Sequence, residues 1–415
     1  MDANGIMSKD QKFVIVGAGL AGASAAEALR AEGFDGRIRL IGAEQYRPYI
    51  RPPLSKDYLS GKDDLDSVFV HPQAWYAENS VDLTTGERVV GLDANAHRLA
   101  LSSGESVDYD RLLLATGSSP RVLSIAGADL ADVHYLRTID HSTALRDALK
   151  HGGKRVVVIG SGWIGMEVAA TARTLGNEVT ILDRGAIPLA SAVGDELGRM
   201  FAELHDQNGV VLRTSVTVDS IVGVDGHATG VVIDGGETLP ADLVLIGIGA
   251  VPNVELAASA GLDVDNGILV SASLQTSDPD IFAAGDIANA YHPVIRQRLR
   301  SEHWANALNS GGAAGRSMLG QEVSYDTIPY FYTDQFDLGM EYSGYGPLAA
   351  NAQVVYRGDR VAREFIAFWV AEGAVVAGMN VNVWDVNESV QALIRSGRTV
   401  DPAELANESI PLDSL

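Results

Sequence analysis

Two hexapeptides carry the residue types that hold a nucleotide: GAGLAG at 17–22 and GSGWIG at 160–165. In each, GxGxxG glycines follow an apolar run and open an alanine-rich one, in KFVIVGAGLAGASAAEALR (12–30) and RVVVIGSGWIGMEVAATAR (155–173). Backbone without side chains can approach a pyrophosphate, and the free N–H groups of a helix start then stabilise its charge. Gly17, Gly19 and Gly22 are matched one for one by Gly160, Gly162 and Gly165, so the device occurs twice. On the order of 20 residues further on, where a ribose-binding carboxylate belongs, stand Glu44 in the first copy and Asp183 in the second. Asp183 should accept from both ribose hydroxyls and repel a 2′-phosphate, which favours NADH over NADPH. Arg184 beside it is read as a solvated loop arginine rather than as a phosphate ligand.

Glu167 breaks the symmetry of the two copies. The first turns of such a helix normally pack small or apolar side chains on the sheet, and the first copy has Ser24 at this place. One explanation is that a carboxylate near a helix N-terminus gains about 0.3–1 kcal/mol from the dipole. The other is that the acid is aimed at a cation elsewhere in the fold.

The elements that must position these groups repeat as well. Each glycine turn is followed by a second β-run, RIRLIGAE ending at Glu44 and EVTILD ending at Asp183. Each unit closes on a related strand and turn, YDRLLLATGSSP (109–120) and ADLVLIGIGAVP (241–252). Two such units predict two dinucleotide-binding lobes on parallel sheets. TSDPDIFAAGDIANA (276–290) has no counterpart in the first copy and must return to the first lobe to complete its ligand site. Asp286 follows a glycine that brings backbone close to a ligand; it also suits a helix N-cap, and both roles can hold together. From about residue 328 a smaller α+β domain is expected. EFIAFWVAEGAVVAGMNVNVWDV (364–386) reads as a hairpin turning at Glu372 and Gly373, and ESVQALIRSG (388–397) as an amphipathic helix. Trp369 and Trp384 are expected in the core of this domain.

Composition narrows the chemistry. The 415 residues allow two to three domains. With no cysteine, a disulfide, a thiolate nucleophile, a redox-active CxxC and a cysteine-ligated cluster are all excluded from the chain. The 31 basic and 54 acidic residues give a formal net charge of −23, which argues against nucleic acid and anionic membrane as partners. No run approaches the ~20 apolar residues of a membrane span. MDANGIMSKDQ lacks the features of a signal peptide, so a cytoplasmic location is expected. The nine histidines are scattered and predict no metal site.

The two fingerprints, together with RPPLSK (51–56), LLLATGSSPR (112–121), DIFAAGDIA (280–288) and YFYTDQFDLG (330–339), resemble the single-chain FAD-dependent ferredoxin reductases. The resemblance covers nearly the whole chain. It implies an α/β fold of glutathione-reductase type, with two Rossmann-like dinucleotide-binding domains and a C-terminal α+β domain. The FAD domain would be split over 11–119 and 249–327, with the NAD(H) domain at 120–248 and an interface domain at 328–415. It further implies one non-covalent FAD held by Gly17, Gly19, Ala21, Gly22, Glu44, Arg51, Lys56, Val89, Thr116, Gly117, Arg137, Asp286 and Trp304. NADH would be held by Gly160, Gly162, Ile164, Gly165, Glu167, Asp183 and Gly249.

By the same resemblance, hydride would pass from NADH to FAD. Single electrons would then pass to a small acidic 2Fe-2S ferredoxin, or a rubredoxin, feeding a haem monooxygenase or a Rieske dioxygenase. Lys56, in a loop stiffened by two prolines, would place a cation near the flavin and pair with Glu167; these two are the expected catalytic residues. Tyr332 stands where relatives often carry tryptophan. An NADH oxidase or quinone reductase, and a redox-sensing flavoprotein like apoptosis-inducing factor, are the alternatives, and a monomer or homodimer is expected. In VIRQRLRSEHW (294–304), Arg296, Arg298 and Arg300 would share one face of an extended segment and give an acidic partner a basic docking patch.

Overall fold

The computed structural model describes residues 9–415, and the chain forms two compact units. The first holds residues up to 50, 65–119 and 251–329; the second holds 51–64, 120–250 and 330–415. The opening residues 1–8, on which the signal-peptide expectation partly rests, lie outside the described residues.

The first unit is built on a five-stranded parallel sheet. Its strands lie in the order Val81–Thr84, Arg37–Ile41, Lys12–Val16, Arg111–Leu114, Ile281–Ala283. Numbered along the chain this order is 3-2-1-4-5, the arrangement of a dinucleotide-binding domain. Strands Lys12–Val16, Arg111–Leu114 and Ile281–Ala283 are almost continuously apolar because both faces are covered; Phe13, Ile15, Leu40, Leu112 and Leu113 are fully buried. The segment expected to return does so, and supplies the fifth strand beside Arg111–Leu114. Helix Leu20–Ala31 packs unusually closely on helix Trp304–Met318. A Cβ on Gly311 would lie 2.2 Å from the Ala21 carbonyl oxygen, so only glycine fits there.

The second unit repeats the design with one change. Its parallel sheet runs Val211–Arg213, Glu178–Leu182, Arg155–Ile159, Leu243–Ile246, Val133–His134. Here the edge position beyond Leu243–Ile246 is filled by a strand that precedes the glycine turn, whereas in the first unit it is filled by one that follows. The second unit also contains a five-stranded antiparallel sheet from the C-terminal part of the chain. Its hairpin, Glu364–Ala371 and Ala374–Val381, turns at Glu372 and Gly373, both left-handed as a tight turn demands. Helix Asn387–Ser396 follows and ends at left-handed Gly397.

The fold class matches the sequence reading: two Rossmann-like sheets and a C-terminal α+β part. The compact units are drawn differently from the three expected segments. Residues 51–64 belong with the second unit, and 330–415 share it with 120–250. The reason is a shared core in which Leu59, Phe201, Leu338, Met340, Phe365 and Trp369 are buried together. Trp384, expected in the core, is 54% exposed, because it follows the end of strand Ala374–Val381 in a loop whose Asn382 and Asp385 are left-handed. Among the described residues no helix is long and apolar enough to cross a membrane, and no group of side chains could hold a metal ion.

Candidate functional site

In open parallel sheets, ligands bind outside the carboxyl ends of the strands, where the strand order reverses. In the first unit those ends carry the predicted groups. Gly17 follows Lys12–Val16, Glu44 follows Arg37–Ile41, Thr116 and Gly117 follow Arg111–Leu114, and Gly285 and Asp286 follow Ile281–Ala283. Gly17 is at φ +117°, and a Cβ there would lie 2.1 Å from the Ala115 carbonyl oxygen; Gly22 lets the helix close to 2.1 Å of the Gly17 carbonyl oxygen by the same measure. Among the described residues, Gly19 has nothing within 4 Å of its Cβ position and no side-chain cap over the helix start, which leaves room for a phosphate.

Around this turn, Thr116 is tied to Asn253 by two hydrogen bonds, 2.9 Å to its carbonyl and 2.8 Å from its side-chain amide. Glu44 accepts from the Tyr49 hydroxyl at 2.5 Å. Asp286 is buried in the short 3-10 helix Gly285–Ile287, and Val89 opens strand Val89–Asp93 half-buried. Trp304 opens helix Trp304–Met318, and its buried indole N–H has no hydrogen-bond partner among the described residues. An open glycine turn, a carboxylate after the second strand and an unsatisfied indole donor fit an adenine dinucleotide such as FAD.

The second unit presents the matching set. Gly160 is at φ +106°, Gly165 meets the Gly160 carbonyl oxygen at 2.2 Å from its Cβ position, and Gly162 is again open. Ile164, in the first turn, is 45% exposed, an apolar side chain left facing out beside the turn. Gly249 is at φ +104° with nothing among the described residues within 4 Å of its Cβ position. Asp183 follows strand Glu178–Leu182 and accepts from the backbone N–H and hydroxyl of Ser161 and from the Gly185 N–H.

Lys56 and Glu167 meet as expected. Lys56 Nζ lies 2.9 Å from Glu167 Oε1, with the side chains 13% and 4% exposed. Three further residues, missed in the sequence, complete the arrangement. Ser55 donates to Glu167 Oε2 at 2.5 Å, Thr333 donates to Oε1 at 2.6 Å, and the Thr171 hydroxyl donates to the Ser55 carbonyl at 2.8 Å. A carboxylate this deep is tolerated because its oxygens are bonded and its charge is paired. Ser24, at the same place in the first copy, is buried, and its hydroxyl has no hydrogen-bond partner among the described residues. Ser55 could have been found, since RPPLSK places it next to Lys56; Thr333 could not, because nothing local points to Glu167.

The pair has aromatic and acidic neighbours. Lys56 Nζ is 5.3 Å from the Tyr332 ring centroid, within cation–π range. Burial first, then Asp334 and Glu167, push the Tyr332 hydroxyl up to about 12. Burial also raises the Asp334 carboxyl, against the opposing pull of Lys56. Behind Thr333 the chain of bonds continues: Gln335 Nε2 donates to the Thr333 hydroxyl at 3.2 Å, and His205 Nε2 donates to Gln335 Oε1 at 2.8 Å. Burial drives His205 down to about 4. Arg51 and Arg137 also come together, with the Arg51 guanidinium donating to the Arg137 carbonyl.

The arginine face is not formed as expected. Arg296 is left-handed at φ 60°, so the segment is not uniformly extended. Arg298 spends its guanidinium on the Val270 and Asn289 carbonyls, and Arg300 on the Asp286 carbonyl and on Glu302. The Arg300 side chain is only 12% exposed.

With this geometry in place, residues 11–311 match the family model described as pyridine nucleotide-disulphide oxidoreductase, and residues 330–415 match that described as reductase C-terminal. The ferredoxin–NAD(+) reductase component of the anthranilate 1,2-dioxygenase system of Burkholderia cepacia is 40% identical, over 98% of this chain and 99% of its own. Putidaredoxin reductase of Pseudomonas putida is 36% identical, over 99% of this chain and 97% of its own. In a solved covalent complex of putidaredoxin reductase with putidaredoxin, the matched chain superposes with a TM-score of 0.93 at 36% identity, covering 98% of both chains.

Proposed function

The chain belongs to the pyridine nucleotide-disulphide oxidoreductase family, and from that premise we propose that it is an NADH-dependent, FAD-carrying reductase delivering electrons to a small acidic iron–sulfur ferredoxin. That it is an oxidoreductase follows from the membership itself. Residues 11–119 and 249–327 serve as the FAD domain, 120–248 as the NAD(H) domain and 328–415 as the interface domain. The observation that carries the reading is the pair of open glycine turns, at Gly19 and Gly162, each followed by its own ribose acid.

FAD, when bound, accepts a hydride from a nicotinamide and releases single electrons. The residues then divide the labour. Gly17, Gly19, Ala21 and Gly22 open the helix start to the FAD pyrophosphate, while Glu44 takes the ribose; Val89, Thr116, Gly117, Asp286 and Trp304 line the rest. Gly160, Gly162, Ile164, Gly165 and Gly249 do the same for NADH, and Asp183 repels a 2′-phosphate. Lys56, fixed by Glu167, is a preorganised positive charge that favours an electron-rich neighbour. The two relatives are named for the dioxygenase-system ferredoxin and for putidaredoxin, which supports a ferredoxin as the electron acceptor here.

Anaerobic stopped-flow tests the proposal. NADH should bleach the flavin quickly and NADPH slowly, and cytochrome c should be reduced only after a ferredoxin is added. Fast reduction of cytochrome c or oxygen without ferredoxin would make the protein an oxidase instead. Equal kcat/KM for NADH and NADPH would remove the role given to Asp183.

A further inference from the structure

Asp183 is already engaged by its own lobe. Its Oδ2 accepts both the backbone N–H and the hydroxyl of Ser161, each at 2.7 Å, and its Oδ1 accepts the Gly185 N–H at 2.6 Å. A carboxylate offers about four lone-pair positions, two on each oxygen. Oδ2 is therefore filled, and Oδ1 keeps one position open. Ser161, the middle residue of the GSG turn, is 4% exposed, so its hydroxyl serves the acid and not the solvent. Asp183 itself is half-buried, and Arg184, the next residue, is exposed.

The first turn is built otherwise. Ala18 stands where the second has Ser161, and Glu44 takes a hydroxyl from Tyr49, on a different segment. A serine latch on the ribose acid is thus particular to the second turn. Its physical effect follows from the side chain. The terminal torsion of aspartate is broad, so a carboxylate left with only the backbone N–H groups of residues 161 and 185 is held less firmly and could swing to share its charge with Arg184. Such a pair would lose both the ribose acceptor and the repulsion of a 2′-phosphate.

Resting on the assignment of the second turn to NADH, we propose that Ser161 is a positioning residue for cofactor choice. Its amide and hydroxyl turn Oδ2 inward, leave the open position of Oδ1 to one adenosine ribose hydroxyl, and hold the carboxylate charge against a 2′-phosphate. Ser161 acts only through Asp183.

Calorimetric titration of the FAD-loaded protein with ADP-ribose and with 2′-phospho-ADP-ribose tests this without turnover. Ser161→Ala should raise the Kd for ADP-ribose about 5–10-fold, the effect of losing one hydrogen bond of ordinary net strength. The Kd for the 2′-phosphorylated ligand should stay or fall, so that discrimination contracts. Ser161→Thr should behave as wild type, and in an Asp183→Asn background Ser161→Ala should add nothing. Wild-type affinity in Ser161→Ala, equal weakening for both ligands, or an effect that persists without the Asp183 charge would overturn the proposal alone. Failure of the wild-type protein to bind either ligand would overturn the NADH assignment of this turn, and the proposal with it.

Discussion

The Thr333 hydroxyl donates to Glu167 Oε1 at 2.6 Å, joining a strand of the C-terminal sheet to the first turns of the second glycine-turn helix. The bonds behind it all point the same way, from His205 Nε2 to Gln335, from Gln335 to Thr333 and from Thr333 to Glu167. A chain with one direction has no freedom to reverse, so Glu167 is held in a single orientation towards Lys56. Thr333→Val keeps the volume and removes the hydroxyl, which leaves Gln335 Nε2 without its acceptor. We expect a loss of about 1–3 kcal/mol in urea denaturation together with slower flavin reduction by NADH. Thr333→Ser should retain both properties.

Glu167→Ala tests the other end of that chain. It strands the ammonium group of Lys56, 13% exposed, and takes the acceptor from the Ser55 and Thr333 hydroxyls. Removing one member of a buried pair costs about 3–5 kcal/mol, so Tm should fall clearly. Hydride-transfer rate and NADH affinity should fall with it, read by anaerobic stopped-flow. If both stay at wild-type values, Glu167 is only a helix-start carboxylate and Lys56 needs no anchor.

His205 gives stability a defined pH dependence. Burial lowers it from 6.5 to about 4 in the folded protein, so between these values the unfolded chain binds the extra proton. The contribution is therefore full above pH 6.5 and is lost progressively as the pH falls to about 4. The size is of order 3 kcal/mol. His303 is lowered to about 4 by burial as well, against Asp286. His205→Gln keeps a donor for Gln335 and removes one titration. Urea unfolding across this range should then show roughly one proton less in its pH dependence than wild type.

How much of this was legible depended on how local the physics is. The glycine turns, the hairpin at Glu372 and Gly373 and the helix ending at Gly397 were readable because local backbone geometry forces them. Lys56 and Glu167 were paired only through a family resemblance; their contact spans the chain and no spacing encodes it. Thr333 and Gln335 were invisible because a β-strand shows which side chains alternate, not which distant acid they meet. Trp384 misled because alternation was carried past the end of its strand, into a loop that turns the ring outward. The arginines misled because regular spacing says nothing about which carbonyls lie within reach.

Those arginines now separate into two kinds, and a charge-reversal series distinguishes them. Arg300 bridges the Asp286 carbonyl and Glu302, next to a carboxylate proposed to hold FAD. Arg300→Glu should therefore lower Tm and the content of bound flavin, a change that would raise the apparent KM for ferredoxin indirectly. Arg298 is exposed yet bonded to two backbone carbonyls, so Arg298→Glu should also register in stability. Arg296 is exposed at a left-handed position. Its charge, like that of Arg298, can steer an acidic partner, a term that salt screens over about 10 Å at 0.1 M. Arg296→Glu should leave Tm and flavin content unchanged while raising the ferredoxin KM and flattening its salt dependence. A wild-type KM in that variant, measured with intact flavin, would show that acidic partners dock elsewhere and that the arginine run serves only the fold of the first unit.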